Sequence, residues 1–172
     1  MATLEWSVSH AVFVDEMDDE HAKIVQALCE LQTLLAGKAS PSDLQRQAET
    51  VAARVESHFS HEERLMRAAR YSSFGWHKRL HDQARRRVLQ LLKHIENGEP
   101  DAGPAMVEYL TSWLHDHTRV ADMMLGAFLR NHRRGLYKMS FRAGTKPSDA
   151  CVWVDSRGEK FDPGGSGGSL PR

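Results

Sequence analysis

Residues 58–66 read HFSHEERLM. They close a segment whose apolar residues keep a helical period: Leu44, Ala48, Val51, Val55, Phe59, Leu65 and Met66 fall on one stripe. A helix turns about 100° per residue, so each position has an angle to that stripe. His58 and Glu62 lie within it, Glu62 at its centre. His61 and Glu63 fall about 100° to one side, toward water or a neighbouring helix. An ionised carboxylate in an apolar core is costly unless paired or coordinated. No Lys or Arg shares the stripe near Glu62. The segment therefore reads as an amphipathic helix that brings ligands for a cation into its core.

The same reading extends to three more segments. The first helix is expected from about Asp19 to Ala36, with Ile24, Val25, Leu28, Leu31 and Leu35 on its stripe, and with Asp18 or Asp19 as cap. His21 precedes that stripe on the same face. The second helix starts near Ser42, after the cap signature Ser40-Pro41. The third runs from about Phe74 to Asn97 on Leu80, Ala84, Val88, Leu91 and Ile95, bracketed by His77 and His81 four apart. The fourth runs from Gly103-Pro104 to about His132, with His117 in the middle of its stripe. Short connections make consecutive helices antiparallel. The expected fold class is all-α, an up-down-up-down four-helix bundle spanning residues 1–132 with its amino-terminal arm. Residues 133–172 form a non-helical extension. In it, CVWVDSRGEKFD at 151–162 predicts a short hairpin, and the Gly/Ser-rich end has linker composition. Trp153 is expected to lay this extension over one bundle face.

Five histidines and Glu62 thus point into one core from four helices. A single such histidine is most simply a satisfied core residue; the set together calls for a metal. Histidine and carboxylate without thiolate suit iron, manganese or zinc. His10, His61, His94, His115 and His132 are expected to face solvent, and Arg85-Arg86-Arg87 to form a solvated helix face.

Composition sets the outer bounds. With 23 basic and 23 acidic residues in 172, the formal net charge is zero, which argues against nucleic acid or an anionic membrane as the main partner. No apolar run approaches the ~20 residues that span a bilayer. No secretory signal is recognisable. Two cysteines, Cys29 and Cys151, are too few for a disulfide scaffold and fit a reducing compartment, with Cys29 as a packed small hydrophobe. The expected location is cytoplasmic.

The residues MDDEH around His21, HFSHEERLM from His58, HKRLH from His77 and WLHDHTRVAD from Trp113 resemble the bacterial hemerythrins, non-haem di-iron oxygen carriers. The resemblance covers about residues 6–130. It implies two iron ions bridged by carboxylates and a hydroxo or oxo group. His77, His81 and His117 would serve one iron, His21 and His58 the other, and Glu62 and Asp122 both. Periodicity alone leaves Asp122 about 120° off the stripe centre. The family has its aspartate at this spacing, and a π-bulge would bring it inward. Three histidines against two leave one iron five-coordinate, and the resemblance implies that dioxygen binds end-on there. Ile24, Phe59, Trp113 and Leu114 match apolar positions of the family's oxygen pocket; ordinary core packing explains them equally.

The function implied is reversible dioxygen binding for storage, delivery or sensing, and not an enzyme. The competing reading is a di-iron enzyme that acts on nitric oxide, peroxide or dioxygen, or that oxidises ferrous iron. The absence of ExxH motifs weighs against ferritin-type oxidation. A third reading, a bundle with a structural zinc or no metal, fits the inward histidines least. The basic extension, with Arg133, Arg134, Lys138, Arg142 and Lys146, is the place where a protein partner or self-association is expected.

Overall fold

The computed structural model describes residues 6–7, 11–37, 39–132 and 153–154. Four rods form an all-α bundle. They are α1 (Asp15–Ala36), α2 (Pro41–Ala68), α3 (Phe74–Glu96) and a fourth made of α4 (Ala102–His117), a π-helical turn (Thr118–Asp122) and α5 (Met123–His132). Each rod packs on its sequence neighbour and α1 closes the ring on α4, the expected up-and-down bundle.

Helix α1 starts at Asp15, four residues before the expected start. The carboxylate of Asp18 does not sit at the cap position. It reaches back to accept the backbone N–H of Val12 (2.8 Å) and Phe13 (3.0 Å). Asp15, Glu16 and Asp18 also place negative charge at the positive end of the helix dipole. Helix α2 starts as expected: the Ser40 hydroxyl accepts from the Asp43 N–H, with Pro41 in the first turn.

The interior is divided. A larger apolar cluster runs from Ile24 to Leu31 on α1, through Val51, Val55 and Phe59 on α2 and Val88 and Leu91 on α3, to Met106, Leu110 and Leu114 on α4. A smaller one closes the opposite end with Val12, Val14, Met17, Leu65, Met66, Tyr71 and Leu125. Cys29 is buried in the larger cluster and is disulfide-bonded. Its burial matches the expected packed small hydrophobe, and Cys151 lies outside the described residues.

The residues 11–14 that enter α1 are held tightly. The Arg130 guanidinium donates to the Val12 carbonyl, and its cationic carbon lies 5.5 Å from the Phe13 ring centroid. Phe13 has φ +58°, a left-handed conformation uncommon for a bulky residue. Gly126 lies so close that a Cβ there would stand 2.5 Å from the Val12 carbonyl oxygen.

Of the expected hairpin, the described residues Trp153–Val154 form a two-residue parallel pair with Trp6–Ser7. The hairpin's second segment, the covering role of Trp153 and the remainder of 133–172 lie outside the described residues. Among the described residues, no helix is long and apolar enough to cross a membrane.

Candidate metal centre

Between the two apolar clusters lies a layer of ionisable side chains. His21, His58, Glu62, His77, His81, His117 and Asp122 are all buried, and all but His117 are fully inaccessible. Their ligand atoms fall into two groups. One holds Glu62, His77, His81, His117 and Asp122; the other holds His21, His58, Glu62 and Asp122. Within each group these atoms lie within 4.8 Å of one another. Glu62 and Asp122 belong to both. The sequence-predicted set thus comes together without exception, three imidazoles on one side of the carboxylates and two on the other.

Asp122 arrives by a local device. In a regular helix five residues after His117 do not return to the same face. The π turn Thr118–Asp122 absorbs the extra residue and swings Asp122 inward. Its Oδ1 lies 3.0 Å from His117 Nε2 and 3.1 Å from His77 Nε2, and its Oδ2 3.2 Å from His21 Nε2. The turn begins at buried Thr118, whose hydroxyl donates to the carbonyls of Leu114 (2.8 Å) and His115 (3.2 Å). A hydroxyl bonded to the carbonyl one turn back competes with the helical ladder and bends it.

The spacing suits a metal better than a hydrogen-bonded core. The ring nitrogens approach each other directly: His77 and His117 Nε2 at 3.0 Å, His81 and His117 at 3.2 Å, His21 and His58 at 3.2 Å. Bonds of about 2.1 Å at right angles around one cation would set neighbouring ligand atoms about 3 Å apart. All four oxygens of Glu62 and Asp122 are buried without a hydrogen bond, an arrangement native proteins avoid unless an ion satisfies it. The donor set, imidazole and carboxylate without sulfur, fits a di-metal site of the iron type.

Electrostatics follow from burial and crowding. Burial and the mutual repulsion of Glu62 and Asp122 push the Glu62 carboxyl up. The surrounding histidines outweigh both and hold it well below the usual carboxylate range. Asp122 is likewise held low: burial opposes this, and His117, His21 and His77 overcome it. His77 is lowered by burial but raised more by Asp122 and Glu62, to about 9. His58 is raised net, burial being exceeded by Glu62, Glu20 and Asp122. In His81 burial wins and the shift is downward.

The expected pocket residues lie on the larger-cluster side. The Phe59 ring stacks on His81, centroids 4.2 Å apart and 10° from parallel, and meets the Trp113 edge at 5.1 Å. Trp113 stacks on His117 at 4.1 Å. Ile24 and Leu114 are buried in the same cluster.

Two carboxylates to which the sequence assigns no role at the centre stand behind the layer. Of the two alternatives for Glu63, water or a neighbouring helix, it takes the second and is buried against α3. Its Oε1 accepts from Arg85 Nη1 at 2.7 Å and lies 3.4 Å from His81 Nδ1. Arg85, read as a solvated cation, also pairs with Glu56 and sits over the Phe59 ring, 5.3 Å from its centroid. Half-buried Glu20 bridges His58 and His61, so His61 leans on α1. Burial raises the Glu20 carboxyl, and these two imidazoles bring it net below its ordinary value. The only sequence signal was angular: both carboxylates flank a stripe residue by one position. His94 and His115 lie toward solvent as expected, paired with Glu99 and Asp116. His10 and the His132 side chain lie outside the described residues.

The family described as Hemerythrin HHE cation binding domain matches residues 12–129. Similar proteins include a bacteriohemerythrin of Stenotrophomonas maltophilia, 29% identical over 148 residues that cover 78% of this chain and 92% of the relative. A bacteriohemerythrin of Pseudomonas aeruginosa is 31% identical over 71% of this chain and 78% of its own length. A myohemerythrin of Sipunculus nudus is 29% identical over 68% of this chain and 86% of its own.

Proposed function

Since the chain belongs to the hemerythrin family of HHE cation-binding domains, we propose that it binds dioxygen reversibly at a pair of non-haem iron ions. The observation that carries this reading is the pair of ligand groups sharing Glu62 and Asp122, with three imidazoles in one and two in the other. When bound, the iron pair would supply the electrons that dioxygen takes up on binding and gives back on release.

The chain's own residues do the rest. His77, His81 and His117 would hold one iron, His21 and His58 the other, and Glu62 and Asp122 would span them. The carboxylates offset the charge of the cations in a water-poor interior. Phe59, Trp113, Ile24 and Leu114 cover the larger-cluster side of the layer and would keep water and protons from it. The stacked Phe59 and Trp113 rings also restrict how His81 and His117 can turn. We assign this work to residues 1–132 and leave 133–172 as a separate extension.

The test is an anaerobic titration of the ferrous protein with dioxygen, followed by its visible spectrum and then by removal of oxygen. The reading expects one dioxygen per two irons and recovery of the starting spectrum on deoxygenation. Rapid irreversible oxidation, or steady consumption of oxygen, peroxide or nitric oxide with a reductant, would favour the enzyme reading instead.

A further inference from the structure

Glu20 lies outside the two ligand groups, yet its carboxylate joins two histidines of α2. Its Oε2 lies 3.0 Å from His58 Nδ1, and its Oε1 lies 2.8 Å from His61 Nδ1. An ionised carboxylate only accepts, so both Nδ1 atoms donate to it. A neutral imidazole with its proton on Nδ1 presents its lone pair at Nε2. For His58 that lone pair faces the centre, where Nε2 stands 3.2 Å from His21 Nε2. His58 is wholly buried, whereas the His61 side chain is 21% exposed and Glu20 23%. The chain of contacts therefore runs from the protein surface to the two-histidine half of the layer. It also joins α1 to α2, the two helices that supply both imidazoles of that half.

We propose that Glu20 is a positioning residue for the two-histidine half of the metal pair, fixing the tautomer and ring orientation of His58, and that His61 holds Glu20 in place. The inference rests on the metal-pair reading above. The other half has no such hydrogen bond to His81. His81 Nδ1 faces Glu63 at the looser distance of 3.4 Å, and Glu63 is anchored by Arg85. Removing Glu20 should then loosen one iron and spare the other, which a mere staple between α1 and α2 would not do.

The experiment compares iron release to a chelator from wild type, Glu20→Ala, Glu20→Gln and His61→Ala, each loaded with ferrous iron under argon. Outer partners of metal-bound histidines typically contribute about 10–100-fold to affinity. In Glu20→Ala, one iron per chain is expected to leave about 10–100-fold faster while the other keeps the wild-type rate. Glu20→Gln keeps an acceptor oxygen for His58 and should restore slow release. His61→Ala should give a smaller acceleration, also confined to one iron. It carries the comparison if Glu20→Ala does not fold. Equal release of both irons in the variants, unchanged release, or failure of Glu20→Gln to restore the rate would overturn the proposal. A wild-type protein that takes up no iron would instead defeat the metal-pair reading beneath it.

Discussion

Among single residues, buried charge decides the chemistry of the core. Glu62 was legible in HFSHEERLM because a carboxylate at the centre of an apolar stripe has no inexpensive explanation but a cation. His21, His58, His77, His81 and His117 were legible by the same angular test. Glu20 and Glu63 were not, because a position one step off the stripe reads equally as a solvated residue, and only the neighbouring helix decides otherwise. The crowded layer also makes the metal-free protein sensitive to pH. The His77 pKa in the fold is raised to about 9, above the 6.5 of the free side chain, because Asp122 and Glu62 outweigh burial. A raised pKa stabilises the fold fully below 6.5 and ceases to do so as pH climbs through about 9. Iron needs the neutral imidazole, so its affinity should move the other way. Thermal unfolding of the apo protein should occur at lower temperature at the alkaline end of this window, while competition titrations should show tighter iron binding there.

At the scale of elements, three rods followed from periodicity and the fourth did not quite. The apolar stripe of the fourth predicted one continuous helix, and on that helix Asp122 belongs near the surface. The structure interrupts it with the π turn at Thr118–Asp122. The extra residue shifts the buried stripe by one position: Met124, on the stripe of an uninterrupted helix, is 48% exposed, and Leu125 is buried in its place. The start of α1 was missed for a local reason: Asp18 resembles a cap, yet it serves Val12 and Phe13 from inside the first turn. The π turn makes a definite prediction. Deleting exposed Val120 should convert the turn to ordinary helix, with the aspartate four residues after His117 and still inward, and two irons per chain retained. Inserting one alanine after Val120 should rotate the carboxylate away and abolish loading. Elemental analysis of the two variants checks both outcomes.

At the scale of the whole molecule, the metal layer lies between a large apolar cluster and a smaller one that closes the end of the bundle. The smaller cluster depends on residues 11–14 being pressed against α5, and Gly126 permits that approach. Helix propensity alone would favour alanine at this position by up to about 1 kcal/mol. The 2.5 Å contact with the Val12 carbonyl reverses the sign, and Gly126→Ala should lower stability by about 1–3 kcal/mol in urea unfolding. The bundle's topology was legible because its connections are short. The arm's path was not, because it is fixed by single contacts across the chain, such as Arg130 to Val12. The claim beneath all of this is that two cations make the buried layer tolerable, and the amount of iron bound tests it most directly. Protein loaded with excess ferrous iron under argon and then desalted should hold two irons per chain, and Glu62→Ala, folded by circular dichroism, should hold none. Wild-type protein that retains no iron, or a Glu62→Ala variant that retains two, would contradict it.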